Sequence, residues 1–186
     1  MTLTRLIRPL MLVFAISAVL ALSGPTWSQT KATPKPQKSA ATPAKCGPDH
    51  AILYKRAVNL LDKAEKKLAA KYTAEAKALL KEANSLFTIL LKECGPEQKD
   101  RALTSREAQQ EAVNKKLAAG EMAQAESLEK SATAKLKKSE QTAQRELAVK
   151  YAREAKGEFE RAQVRHLKAE IYSLRNQQML FRWLAK

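Results

Sequence analysis

Glycine, histidine and aromatic side chains are scarce in this chain: five glycines, two histidines and 5% Phe, Trp and Tyr in 186 residues. After Gly95 only Gly120 and Gly157 remain. No glycine-rich loop is available to cradle a phosphate, and Ser105 and Ser173 lack the flanking glycines of a nucleophile elbow. The carboxylates stand beside lysines at helix-surface spacings, as Glu75 with Lys71 and Glu154 with Lys150, and read as solvated i,i+4 pairs. These absences argue against an enzyme. A long apolar run is missing too, since Leu10 to Leu22 falls short of the roughly 20 residues that a membrane span needs.

The N-terminal end carries its own message. Residues 1–28 have the layout of a secretory signal peptide: Arg5 and Arg8, the apolar run, a Gly24-Pro25 break, and small residues in Thr26-Trp27-Ser28. No cysteine follows Leu22-Ser23-Gly24, so a lipid anchor is not expected there. The expected location is periplasmic or secreted. Residues 29–45 hold Pro34, Pro36 and Pro43 and nothing apolar larger than alanine, which predicts a disordered basic tether.

Acidic residues are outnumbered, with 19 Asp and Glu against 34 Lys and Arg, a net charge of +15. Cleavage after residue 28 removes Arg5 and Arg8 and leaves 15 − 2 = +13. The tether carries +4, and residues 150–186 carry nine bases against four acids, or +5. An exported cationic protein meets anionic lipid, wall polymer or acidic protein surfaces, whereas export makes nucleic acid a poor candidate partner.

From Pro48 onward the sequence is built of strong helix formers and shows no strand signal. Apolar residues recur every three or four positions from Leu53 through Ala57, Leu60, Ala64, Leu68, Ala76, Ala83 and Leu86 to Leu90. A second stripe runs from Leu117 through Ala125, Ala132, Leu136, Ala155 and Phe159 to Ala162. The expected fold is all-α: helical hairpins, an antiparallel helical bundle or a coiled coil.

The two cysteines each open a Cys-Gly-Pro-acid motif, Cys46-Gly47-Pro48-Asp49 and Cys94-Gly95-Pro96-Glu97. Pro48 suits the first turn of a helix. Gly95 suits a left-handed helix end with Pro96 opening the next element. If the chain reverses near Lys71-Tyr72-Thr73, helices Pro48–Lys71 and Thr73–Glu93 are nearly equal and Cys46 meets Cys94. A single straight helix would hold the cysteines about 70 Å apart. The oxidising compartment favours the disulfide-closed hairpin over residues 46–95. Asp49 and His50 would converge on the cysteines, and three of these four groups could ligate zinc, but export favours the disulfide; no metal or cofactor is expected. Over residues 96–186 a third helix is expected to end at Ala119 before Gly120. A fourth then runs from Glu121 to about Leu184, unbroken or folded once near Lys150. His166 reads as an ordinary surface residue.

Lys71-Tyr72-x-x-Glu75-Ala76-x-x-Leu79-Leu80-x-x-Ala83 resembles the turn and second helix of a tetratricopeptide repeat. Related copies at Leu68, Leu117 and Leu147 lie 49 and 30 residues apart, not at the regular spacing of that family, so the resemblance implies a generic adaptor hairpin. Size, charge and helicity also resemble the basic helical chaperones of outer-membrane proteins. Leu103-Thr104-Ser105-Arg106-Glu107 resembles the LTxxQ signature of small helical stress chaperones except at its last residue.

Large apolar residues gather at the C-terminus. Leu174, Leu180, Phe181, Arg182 and Trp183 are the candidate contacts with a membrane surface or partner groove. The competing reading packs this segment on its own bundle or in a homo-oligomeric seam. The expected function is non-enzymatic binding: an envelope adaptor with a cationic contact surface. The alternatives are a holdase that cradles unfolded clients and a binder of anionic lipid or wall polymer.

Overall fold

The computed structural model describes residues 46–99 and 101–185; the expected signal peptide and tether lie outside them. Four helices follow one another: α1 Pro48–Ala69, α2 Thr73–Lys99, α3 Ser105–Gln141 and α4 Arg145–Phe181, with a closing 3₁₀ turn at Arg182–Ala185. The described chain is all-α, with no strand among the described residues.

Gly47 is the N-cap of α1 and Pro48 fills its first turn, as the motif predicts. The chain reverses at Ala70-Lys71-Tyr72. There the Tyr72 amide donates to Lys67 O at 2.9 Å and the Lys71 amide to Leu68 O at 3.0 Å. This is a Schellman closure, and Lys71 holds its left-handed position with φ 66°. The Lys67 ammonium lies over the Tyr72 ring, 5.1 Å from its centroid. Thr73 is the first residue of α2 rather than the cap before it. The antiparallel arms bring Cys46 and Cys94 together as a disulfide with Cα atoms 5.5 Å apart.

The expected break at Gly95 does not occur. The helix continues through Cys94-Gly95-Pro96 to Lys99, and no glycine among the described residues has a positive φ. Pro96 removes one backbone bond. Against that loss, the extra turn places Glu97 Oε1 to accept the Cys46 amide at 3.0 Å and Gln98 Oε1 to accept the Trp183 indole N–H at 2.8 Å. The hairpin therefore outruns the expected boundary at residue 95.

Gly120 also fails to end a helix, because α3 runs through it for 37 residues. The chain turns instead at Thr142-Ala143-Gln144. A glycine in a helix interior costs about 1 kcal/mol, less than an equal antiparallel partner restores through packing. Residues 121–141 thus belong to α3, and α4 begins at Arg145.

The main core joins α1 and α2 to the second half of α4. Leu61, Leu80, Phe87, Leu90, Leu174 and Phe181 lie fully inside it. Each such side chain contributes about 1.5–3 kcal/mol. Nothing in α4 before Val164 belongs to this core, and no residue of α3 does. Among the described helices α3 touches only α4. The tip of the α3–α4 pair consequently projects as a two-helix arm, roughly 25 Å past the α1–α2 turn.

Candidate functional site

The C-terminal candidate contact residues are mostly inside, as the reading that packs this segment on its own bundle expects. Leu174 and Phe181 are buried, and Leu180 and Trp183 pack against the same core. They are amphipathic-stripe residues with a large core available beside them. Arg182 alone is exposed, and it pairs with the buried carboxylate of Glu107. The Trp183 ring carries the Arg101 guanidinium 4.0 Å from its centroid. The segment is a latch between the disulfide-closed end and the start of α3.

That closed end gathers the residues weighed for zinc. Ligand atoms of Cys46, His50 and Cys94 lie within 4.8 Å of one another, but the disulfide withholds both thiolates. His50 Nδ1 accepts the Gly47 amide at 3.1 Å, so Nε2 carries the proton toward Glu93 Oε2 at 2.9 Å. The histidine here works as a helix cap.

The seam between α3 and α4 has a different chemistry from the main core. Its buried residues are Ala125 and Ala132 on α3, Ala155 and Ala162 on α4, and the polar Glu107, Asn114 and Glu158. Asn114 donates to Asn176 Oδ1 at 2.8 Å. Lys135 Nζ reaches Glu158 at 2.7 Å and Glu154 at 3.3 Å. Arg165 reaches Glu121 at 2.8 Å, and His166 Nε2 lies 2.8 Å from Glu129. The hydrogen bond from Lys135 holds the Glu158 carboxyl below the usual carboxylate range, and the same bond raises Lys135.

Two surface pairings expected from i,i+4 spacing go elsewhere. Glu75 binds Lys67 across the hairpin at 2.6 Å, and Glu154 binds Lys135 across the arm. His166 is likewise no free surface residue, with Met122 Sδ 3.4 Å from Nδ1. These partners are set by helix register, which local spacing does not encode.

Alanine fills the seam, and several larger apolar side chains of α3 and α4 stay at the surface. Leu117, Met122, Leu136, Val149 and Phe159 are each 38–43% exposed. The signal for this was present as alanine at seven-residue steps, Ala125 to Ala132 and Ala155 to Ala162. α3 starts at Ser105 rather than at Pro96 as expected, and the signal for it was a local one. Thr104-x-x-Glu107 is a capping box, with Glu107 Oε2 accepting the Thr104 amide at 2.9 Å and the Thr104 hydroxyl at 2.7 Å.

Open grooves flank α4. One, of about 890 Å³, lies where the α1–α2 turn meets α4 and α3 and includes Lys71, Thr73, Gln124, Arg161, Arg165 and Lys168. Another, of about 360 Å³, includes Asn84, Met122, His166, Glu170 and Gln177. Burial pushes the Glu170 carboxyl up, with Lys77 opposing it. No helix among the described residues is long and apolar enough to cross a membrane. Comparison with protein-family models, curated proteins and solved structures finds no match to the chain.

Proposed function

We propose that this chain is an exported, non-catalytic helical binding protein of the cell envelope, with the α3–α4 arm as its contact element. One observation carries the reading: the arm closes on alanine and polar residues while Leu136, Val149 and Phe159 stay at the surface. A helix pair that served only to complete a core would turn those side chains inward. The disulfide-closed hairpin and its shared core with α4 act as a rigid base. The sequence pattern of residues 1–28 supplies the export, and the cationic surface favours acidic protein partners.

The test is site-specific photocrosslinking from positions 136 and 159 in envelope preparations, followed by titration of the purified captured protein. One saturable partner, lost with Leu136→Glu and Phe159→Glu but not with Ile52→Glu on α1, supports the adaptor. Equal loss with Ile52→Glu would remove the arm as the contact.

The holdase reading draws on a second observation. The exposed apolar side chains stand singly among charges, which suits several weak contacts with an extended client. It requires suppression of aggregation of unrelated unfolded proteins at near-stoichiometric amounts. Retention of only one partner, with no such suppression, decides for the adaptor.

A further inference from the structure

We infer that the groove between the α1–α2 turn and α4 binds a sugar carrying two phosphate groups, a function separate from protein contact by the arm. Its lining carries four cations, Lys71, Arg161, Arg165 and Lys168, against the single acid Glu160, so 4 − 1 = +3. Arg165 is tied to Glu121. Arg161 has only a long 3.9 Å approach to Glu158, and Glu160 leans toward Lys156 at 3.9 Å. Among the described residues no carboxylate reaches Lys71 or Lys168, although Lys168 is half-buried. Cations gathered in one groove without a matching set of carboxylates attract an anion jointly.

The spacing selects more than one anion. Arg161 and Lys168 sit two turns apart on one side of α4, roughly 10 Å along its axis, which suits phosphates at opposite ends of one sugar ring. The neutral polar lining, Thr73, Gln124 and Gln163 among it, supplies hydrogen-bond groups for hydroxyls between them. The groove volume of about 890 Å³ accommodates a ligand of this size. A doubly phosphorylated sugar exists both free and as the headgroup of an anionic glycolipid, and the chemistry recognised is the same.

The probes are fructose 1,6-bisphosphate in calorimetric titration and phosphatidylcholine vesicles containing a bisphosphorylated glycolipid in sedimentation. The expected result is binding of the bisphosphate tighter than roughly 1 mM, with glucose 1-phosphate at least about tenfold weaker. Lys168→Gln and Lys71→Gly each weaken it by roughly tenfold, whereas Lys55→Gln on the outer face of α1 changes it by less than about twofold. Lys71→Gly relieves the left-handed backbone, so its loss of binding cannot come from loss of fold. Capture by vesicles and not by the free sugar assigns the lipid-borne form; capture of both assigns the headgroup alone. Absence of binding to both probes, equal binding of the monophosphate, or equal weakening by Lys55→Gln overturns the proposal.

Discussion

The buried Asn114 side chain of α3 donates a hydrogen bond to Asn176 of α4 at 2.8 Å, and Asn176 in turn approaches Glu111 O at 3.4 Å. In a seam whose apolar part is alanine this amide pair helps fix the register of α3, because a slide along α4 takes the acceptor away from the buried Asn114 amide. Asn114→Ala is expected to destabilise the protein by about 1–2 kcal/mol, read as a lower urea midpoint with an unchanged slope. A loss smaller than a few tenths of a kcal/mol would show that the pair contributes nothing to register.

The disulfide closes a 48-residue separation. In the chain-entropy model a closure of this length stabilises by about 4 kcal/mol. The purified protein should therefore show no free thiol under denaturing, non-reducing conditions, and reduction should lower its melting temperature by many degrees. Two titratable thiols in the purified monomer would contradict the pairing.

Backbone conformation makes a prediction in the opposite direction. Lys71 occupies a left-handed position that glycine adopts freely, and Gly120 occupies an exposed helix interior with open space where a Cβ would stand. Lys71→Gly and Gly120→Ala should each stabilise by about 0.5–1 kcal/mol, and the two should add because the sites share no partner. Thermal melts of the single and double variants check this; an unchanged Gly120→Ala melt would indicate fraying of α3 near its middle.

Acid should loosen the arm before the base. The folded-state pKa of Glu158 lies below its unfolded value because of Lys135. Its contribution is complete above the ordinary carboxylate pKa of about 4.3 and is lost as pH falls through the lower folded value. Glu170 behaves oppositely, since burial raises its folded pKa. Its neutral form favours folding below about pH 4.3, and that advantage disappears as pH rises through the raised value. Glu158→Gln should flatten the acid limb of stability against pH, and Glu170→Gln should raise stability near neutrality. Identical pH profiles for both variants and the parent would contradict these assignments.

The legible parts of the fold share one property: their cause is local or covalent. Pro48 opens α1, and the two cysteines demand a reversal near Lys71, whereas the start of α3, expected at Pro96, lies at the Thr104–Glu107 box. The breaks at Gly95 and Gly120 were misplaced because a glycine preference near 1 kcal/mol is small beside the packing of a whole helix arm. The true turn at Thr142-Ala143-Gln144 carries neither glycine nor proline. It leaves α3 and α4 with equal lengths of 37 residues, packed along each other.

The candidate sites divide the same way. The sequence alone determined the helical class and the excess of positive charge and favoured the cysteine pairing, because propensity, charge and loop closure need no knowledge of neighbours. Only the tertiary structure decided that Leu174 and Phe181 lie inside, that Leu136 and Phe159 lie outside, and that Lys71 meets Arg161 and Lys168 in one groove. Helical periodicity names a face but not its partner. Which of several apolar faces is covered depends on how helices far apart in sequence fit together, and here alanine allowed α3 close to α4 while the larger side chains stayed at the surface.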